Sequence, residues 1–92
     1  RMIRSDLCML GVCSLHPEIG ISVTNFDEAH VKRAMIAGAA EVVGLATAAK
    51  LDTASTYVVE PIHALTYLVT ASIVSDMMLT SYKALGLTIV RD

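Results

Sequence analysis

Short apolar runs alternate with stretches of helical periodicity along the chain. Residues 7–12, 42–46, 67–70 and 87–90 are runs of mostly apolar, often β-branched residues. Runs of about four to eight such residues are typical of strands buried on both faces. Residues 21–24 alternate in polarity and residues 57–59 are apolar, so each predicts a short extended segment.

The first helix is predicted after residue 24. Thr24 or Asn25 can serve as its N-cap, with an acid three residues later in the arrangement of a capping box. The helix is expected to end near Ala40. Residues spaced by three and four should pack on the core; they are Val31, Ala34, Met35 and Gly38. Glu28, Lys32 and Arg33 are expected on a solvated face.

The second helix is predicted to begin after Ser75, which can act as its N-cap. Gly86 fits the C′ position, where a left-handed backbone is common. The apolar face of this helix consists of Met78, Leu79, Tyr82 and Leu85. Between the two long helices, Pro61 starts a turn, and residues 62–65 are predicted to form one helical turn.

The order β, α, β, short helix, β, α, β predicts an α/β fold with a parallel sheet and helices packed on it. Ligands of such sheets bind beyond the carboxyl ends of the strands. The loops at residues 13–20 and 47–55 leave two of these ends and carry distinctive polar residues. We therefore expect any binding site to draw on these two loops.

Composition excludes several classes of protein. The chain has 92 residues, of which 54% are hydrophobic and 17% charged, and its net charge is −2. Nine acids against seven strong bases argue against a basic nucleic-acid binder, and the apolar fraction argues against disorder. The longest stretch without Asp, Glu, Lys or Arg has 15 residues, from 61 to 75, against the roughly 18 expected of a membrane-spanning helix.

The apolar fraction is high for one short domain. Some apolar surface is therefore expected to be covered by a partner subunit or by the rest of a longer polypeptide. The chain begins at Arg1 rather than Met, and we interpret it as a fragment or an excised domain. Cys8 and Cys13 do not form a CxxC pair and are expected to be reduced thiols of a cytoplasmic protein.

No catalytic, cofactor or metal motif is present. The chain has no GxGxxG, no GxxxxGK[ST], no GxSxG and no HExxH. Lys50 is the one Lys or Arg between Arg33 and Lys83 and follows a predicted strand within a loop of small residues. It is either an ordinary solvated lysine or a point charge for phosphate, with Thr47 as a neighbouring hydroxyl. His16 is either a turn residue or a ligand contact, and the same alternatives hold for Cys13.

Several segments, in order, resemble the sensor domain of DeoR-type transcriptional regulators. DLCMLGVCSLHPE (residues 6–18) resembles the family's "adl-flG-x-x-x-(l/i)-x-p-e", and GISVTNFDEA (20–29) its "G-l-t-t-t-d-x-x-E-A". LATAAKL (45–51) stands where the family has "l-A-D-s-s-K-f/l-g". LVT (68–70) matches "l-I/V-T-d", and LGLTIV (85–90) matches the closing "l-g-v-e-v-v".

The resemblance implies an ISOCOT-like fold, similar to ribose-5-phosphate isomerase and CoA transferases. Such regulators join an N-terminal winged helix-turn-helix to a sensor of sugar phosphates. Residues 1–92 would be the C-terminal part of that sensor, without the DNA-binding domain and without the family's "T-G-G" loop. The resemblance places Lys50 in the effector site, with Thr47 where the family has an acid and Asp52 where it has Gly. Cys13, His16 and Thr24 are expected nearby.

The leading hypothesis is therefore an effector-binding domain of a cytoplasmic, homo-oligomeric repressor. It would bind a phosphorylated sugar or related metabolite, contact DNA only through the absent domain, and need no cofactor, metal or membrane. One alternative is an oligomerisation module without a ligand. Another is an isomerase-like enzyme, for which Asp52 would be the general base.

Overall fold

Two β-sheets and two helices make up the described part of the chain. The computed structural model describes residues 5–92. Two single 3₁₀ turns, Ala48–Lys50 and Ile62–Ala64, interrupt the loops. The helices and strands, in chain order, are β1 (Ser5–Gly11), β2 (Ser14–His16), β3 (Gly20–Val23), α1 (Phe26–Ala37), β4 (Ala39–Leu45), β5 (Tyr57–Glu60), β6 (Tyr67–Thr70), α2 (Asp76–Ala84) and β7 (Thr88–Arg91).

The larger sheet has four parallel strands in the order β1-β4-β6-β7. These four strands are the ones predicted from the apolar runs, and the mixed α/β class with a parallel sheet is confirmed. The helical turn predicted after Pro61 is also present. Because all four strands run in the same direction, their carboxyl ends meet at one edge of the sheet, where Cys13, Thr47 and Ala71 follow.

The smaller sheet is antiparallel, with the order β2-β3-β5. The prediction of a loop over residues 13–20 is wrong, because β2 lies within it and pairs with β3 in this second sheet. The tight connection between β2 and β3 depends on Gly20, whose φ is +97°. A Cβ at this position would lie 2.4 Å from the carbonyl oxygen of Glu60, so the approach of β5 to the turn requires glycine.

The hydrophobic core lies between the two sheets and α2. From the parallel sheet it takes Leu10, Val42 and Leu68, and from α2 it takes Leu79 and Tyr82. On the other face of the parallel sheet Val43 is buried, but its partner Met9 is 60% exposed and Leu45 is 37% exposed. Parallel sheets are normally covered on both faces, so this face fits the expectation of a further covering element.

The predicted capping of α1 is confirmed, but its predicted core face is wrong. The side chain of Asn25 accepts a hydrogen bond from the backbone N–H of Glu28 at 3.1 Å. Ala29 is the buried residue of the helix. The residues predicted to face the core do not: Val31, Ala34 and Met35 are exposed and Gly38 is only half-buried.

Basic side chains take the inward positions on α1, so the prediction of a solvated face for Lys32 and Arg33 is also wrong. Arg33 donates from Nε to the carbonyl of Val59 at 2.9 Å and from Nη2 to that of Val58 at 2.5 Å. The aliphatic stems of such side chains cover apolar surface while their charged ends find polar partners. A polar residue type is therefore compatible with the inner face of this helix.

The second helix follows its prediction closely. Ser75 accepts from the N–H of Met78 at 3.2 Å, and Gly86 has a φ of +88° just beyond the helix. Leu79 and Tyr82 are fully buried, whereas Leu85 is 46% exposed. Within residues 5–92, no helix has the length and apolar character needed to cross a membrane.

Candidate functional site

A charged cluster lies at the carboxyl end of β1. Lys32 donates from Nζ to the carbonyl of Gly11, the last residue of the strand, at 2.8 Å. Its Nζ also lies 3.5 Å from Oε2 of Glu28, and its side chain is only 15% exposed. The thiol of Cys13 donates to the same Glu28 oxygen at 3.5 Å. The loop after β1 is thereby joined to the first two turns of α1.

The electrostatics of Cys13 show that two lysines act on this cluster. Burial raises the pKa of the Cys13 thiol, and the hydrogen bond to Glu28 and its negative charge raise it further. The positive charges of Lys32 and Lys50 both lower it. The segments after β1 and β4 meet, as expected from the parallel sheet, because the N–H of Thr53 donates to the carbonyl of Leu15 at 3.0 Å and the hydroxyls of Ser14 and Ser55 lie 2.7 Å apart.

Lys50 ends the 3₁₀ turn at Ala48–Lys50, and its side chain is exposed. Its backbone is fixed on both sides: its N–H donates to the carbonyl of Thr47 at 3.0 Å, and its carbonyl accepts from Oγ1 of Thr53 at 2.7 Å. Among residues 5–92, no carboxylate forms an ion pair with Lys50. Its charge is therefore available to an anionic ligand.

Asp52 is held by α2. Its φ is +60°, a left-handed conformation that Asp tolerates better than most residues. Its backbone N–H donates to Oη of Tyr82 at 3.0 Å, and Tyr82 donates to Oδ1 of Asp52 at 2.8 Å. Burial is the main reason that the pKa of Tyr82 is raised, so the phenol stays protonated. One oxygen of the Asp52 carboxylate is thus already hydrogen-bonded within the protein.

Asp52 and His16 line a cavity of about 520 Å³ between the β2–β3 turn and α2. Nδ1 of His16 accepts from the backbone N–H of Glu18 at 3.1 Å, and the N–H of Ile19 lies 3.4 Å away. His16 therefore stabilises its own turn, and the structure brings it together with Asp52 rather than with Lys50.

A second cavity of about 280 Å³ lies at the carboxyl ends of β4 and β6, with Thr47 and Thr70 in its lining. Thr24 is exposed at the end of β3, and in the described part of the chain no hydrogen bond of its side chain connects it to the other predicted residues. Of the six predicted residues, His16 and Asp52 therefore line one cavity, Thr47 lines the other, and Cys13, Lys50 and Thr24 lie outside both linings.

Two polar residues near the carboxyl edge were missed by sequence reasoning. Lys32 pairs with Glu28 in the i, i+4 spacing that is usual on solvated helices, so no sequence signal marks its contact with the carbonyl of Gly11. Thr70 ends the apolar strand β6, and the sequence does not show that its side chain is buried in the folded protein. Within residues 5–92, no group of three or more His, Cys, Asp or Glu side chains is placed to hold a metal ion.

Comparison with protein families decides the assignment. The family model described as DeoR C-terminal sensor domain matches residues 1–72. The chain belongs to this family. No curated protein matches the chain in a sequence comparison. DeoR C-terminal sensor domains belong to regulators of transcription, generally not to enzymes.

The match to the DeoR sensor domain covers the loops of Cys13 and Lys50 and the strands β1 to β6, whereas α2 and β7 lie outside it. The left-handed backbone of Asp52 gives a physical reason for the Gly that the DeoR pattern has at this position, because glycine adopts positive φ readily. The aspartate keeps this conformation and adds a contact with Tyr82. The departure from the pattern is therefore compatible with the same loop conformation.

Proposed function

We propose that this chain binds a phosphorylated sugar or a related phosphorylated metabolite at the carboxyl edge of its parallel sheet, with Lys50 as the cation that holds the phosphate. The protein is then a cytoplasmic, homo-oligomeric repressor of the DeoR type. Residues 1–92 form the C-terminal part of its sensor, and DNA is bound by a separate winged helix-turn-helix domain. Effector binding changes the affinity for DNA because the two ligands favour different conformations.

The observation that supports this proposal most is the exposed ammonium group of Lys50, which forms no ion pair among residues 5–92. Its loop contacts the segment after β1, since the N–H of Thr53 donates to the carbonyl of Leu15 at 3.0 Å. Lys32 is already engaged with Glu28 and with the carbonyl of Gly11, which leaves Lys50 as the accessible cation. A phosphate dianion at this place would gain charge-assisted hydrogen bonds from Lys50, and these are stronger than neutral ones.

An oligomerisation module without a ligand is the second candidate, and the exposed apolar side chains on one face of the parallel sheet favour it. Leu7, Met9, Leu45 and Val90 are between 37% and 60% exposed. Contiguous apolar surface of this kind marks an interaction site. This candidate predicts that stability depends on protein concentration alone, since no ligand contributes to it.

A thermal-shift panel on the intact protein tests the proposal. It contains phosphorylated sugars, the same sugars without phosphate, and inorganic phosphate. Binding stabilises the folded state by about 2.7 kcal/mol when the ligand is at a hundredfold excess over Kd, and each kcal/mol shifts the midpoint of a small domain by roughly 4–8 °C. We expect a rise with at least one phosphorylated sugar, none with its unphosphorylated form, and a smaller rise in Lys50→Ala.

The oligomerisation alternative gives a different result in the same experiment. The midpoint would then rise with protein concentration and would not respond to any member of the panel. A panel without any response from a phosphorylated sugar contradicts the sensor proposal. A second assay, DNA binding by the intact regulator with and without the active sugar phosphate, tests whether the protein is a repressor released by its effector.

A further inference from the structure

The hydroxyl of Thr70 is buried without a hydrogen-bond partner. Thr70 is the last residue of β6 and is 3% exposed. Its Oγ1 has no hydrogen-bond partner in the part of the chain that the structure describes. Its carbonyl, in contrast, accepts from the backbone N–H of Asp92 at 2.9 Å. Buried polar groups in folded proteins are nearly always hydrogen-bonded, so an unpaired one calls for an explanation.

Thr70 also lines a cavity. The cavity of about 280 Å³ lies where β4 and β6 end side by side, and two of its lining residues are joined there, since the backbone N–H of Ala46 donates to the carbonyl of Val69 at 3.0 Å. Thr47 lies on the β4 side and Thr70 on the β6 side. Thr47 precedes the 3₁₀ turn without capping it through its side chain. Two threonines at adjacent carboxyl ends therefore offer hydroxyls that the described fold does not use.

The hydroxyls of Thr47 and Thr70 indicate which kind of chemical group the cavity can bind. A threonine hydroxyl offers one donor and two acceptor positions. The rest of the lining is apolar, with Leu45, Ala46, Val69 and Ala71, except for Asp92, whose carboxylate accepts hydrogen bonds and repels a phosphate. Thr70 itself brings no charge. A neutral group that both donates and accepts hydrogen bonds, such as the hydroxyl of a polyol or sugar, fits such a lining. The phosphate lies elsewhere, because Lys50 is not part of this cavity wall.

We infer that Thr70 is a specificity-determining residue of the effector site, which binds a hydroxyl of the sugar part of the ligand, while Lys50 binds its phosphate. This inference rests on the proposed function and deepens it. Thr47 lines the cavity and its carbonyl accepts from the N–H of Lys50 at 3.0 Å, so one ligand at this loop can contact both the cavity and the lysine. The sugar hydroxyl satisfies Oγ1 of Thr70 in the bound state and leaves it unpaired in the free state.

The test is titration calorimetry of the intact protein and of Thr70→Val, with a phosphorylated sugar that stabilises the wild type. Valine has the shape of threonine without the hydroxyl. We expect Thr70→Val to bind the sugar phosphate about tenfold more weakly, the loss of one hydrogen bond to a buried partner. Inorganic phosphate should bind equally to both proteins. Thr70→Ser keeps the hydroxyl and should bind the sugar phosphate within about threefold of the wild type.

Stability provides the second readout, with Thr88→Val as the control at an exposed strand position. Since valine removes an unsatisfied polar atom, Thr70→Val should unfold at the same temperature as the wild type or higher. A lower midpoint means that the hydroxyl is bonded within the fold and overturns the inference. Equal affinity of Thr70→Val and wild type for the sugar phosphate also overturns it, although the proposed function stands. A wild type that binds no phosphorylated sugar overturns both.

Discussion

The hydroxyl of Tyr82 donates a hydrogen bond of 2.8 Å to Oδ1 of Asp52, and it accepts one of 3.0 Å from the N–H of the same residue. Asp52 lies two residues after Lys50, whereas Tyr82 is a fully buried residue of α2. The bonds therefore attach the loop that carries the candidate phosphate-binding lysine to the core. They also join the part of the chain that matches the sensor family to the helix beyond it.

Tyr82→Phe tests this attachment. The phenylalanine fills the same space but leaves the N–H and one carboxylate oxygen of Asp52 without their partner. We expect the free energy of unfolding to fall by about 1–3 kcal/mol, measured by urea denaturation. Tyr67→Phe is the matched control, because Tyr67 donates to Glu41 at 3.2 Å on the surface. We expect this substitution to change the free energy of unfolding by no more than about 0.5 kcal/mol. Equal effects of the two substitutions would contradict the assigned role.

The left-handed backbone of Asp52 predicts an order of stability among its variants. Asp52→Gly and Asp52→Ala both lose the carboxylate, but only alanine resists a φ of +60°. Asp52→Ala should therefore unfold with about 1 kcal/mol less free energy than Asp52→Gly. Asp52→Asn keeps a hydrogen-bond acceptor and tolerates this conformation, so its free energy of unfolding should be the closest of the three to that of the wild type. If alanine is at least as stable as glycine, the loop has another conformation in solution.

Two glycines of the parallel sheet should respond differently to alanine. A Cβ at Gly44 would lie 2.9 Å from Cδ1 of Leu65 and 3.1 Å from its Cδ2, whereas a Cβ at Gly11 would meet nothing within 4 Å. Gly44→Ala should lower the free energy of unfolding by about 1–3 kcal/mol through overpacking. Gly11→Ala should leave it unchanged or raise it slightly. Thermal unfolding of both variants measures the contrast, and equal midpoints would contradict the packing of Leu65.

The pH dependence of Cys13 alkylation reports on the charges around the candidate site. Because burial and Glu28 raise the pKa of this thiol, its thiolate fraction at pH 8.5 is below that of a free cysteine, and the thiolate is the reactive form. Iodoacetamide should therefore modify Cys13 slowly. Glu28→Gln should lower the pKa and speed the reaction, whereas Lys50→Gln should raise the pKa and slow it. Mass spectrometry distinguishes modification of Cys13 from modification of the buried Cys8. If Cys13 is alkylated at the same rate in Lys50→Gln as in the wild type, Lys50 does not lie near the thiol.

The parallel sheet and the helix ends could be predicted because their signals are local. Runs of apolar residues marked β1, β4, β6 and β7, and the caps at Asn25 and Ser75 lie within three residues of the N–H groups that they satisfy. The antiparallel sheet could not be predicted in this way. Its strand β2 has only three residues, and Ser22 pairs with Val58 across a large separation in sequence.

The inner face of α1 was wrongly predicted because apolar spacing alone decided it. In the structure, Val31 and Met35 face outward, and Arg33 reaches two carbonyls of β5 from the inner side. For the candidate site, the meeting of the loops of Cys13 and Lys50 could be predicted from parallel strand order. The burial of Lys32 and Thr70 could not, since it depends on which helix and which strand end lie beside them.

Titration calorimetry of Lys50→Gln with phosphorylated sugars measures directly whether Lys50 binds the phosphate of the effector. Lys83→Gln is the control, since Lys83 is an exposed lysine on α2 that pairs with Asp76 at 3.8 Å. We expect Lys50→Gln to bind the sugar phosphate roughly tenfold or more weakly than the wild type, because a charged hydrogen bond is lost, and Lys83→Gln to bind like the wild type. Equal affinities of all three proteins would contradict the assignment of Lys50 as the phosphate-binding residue.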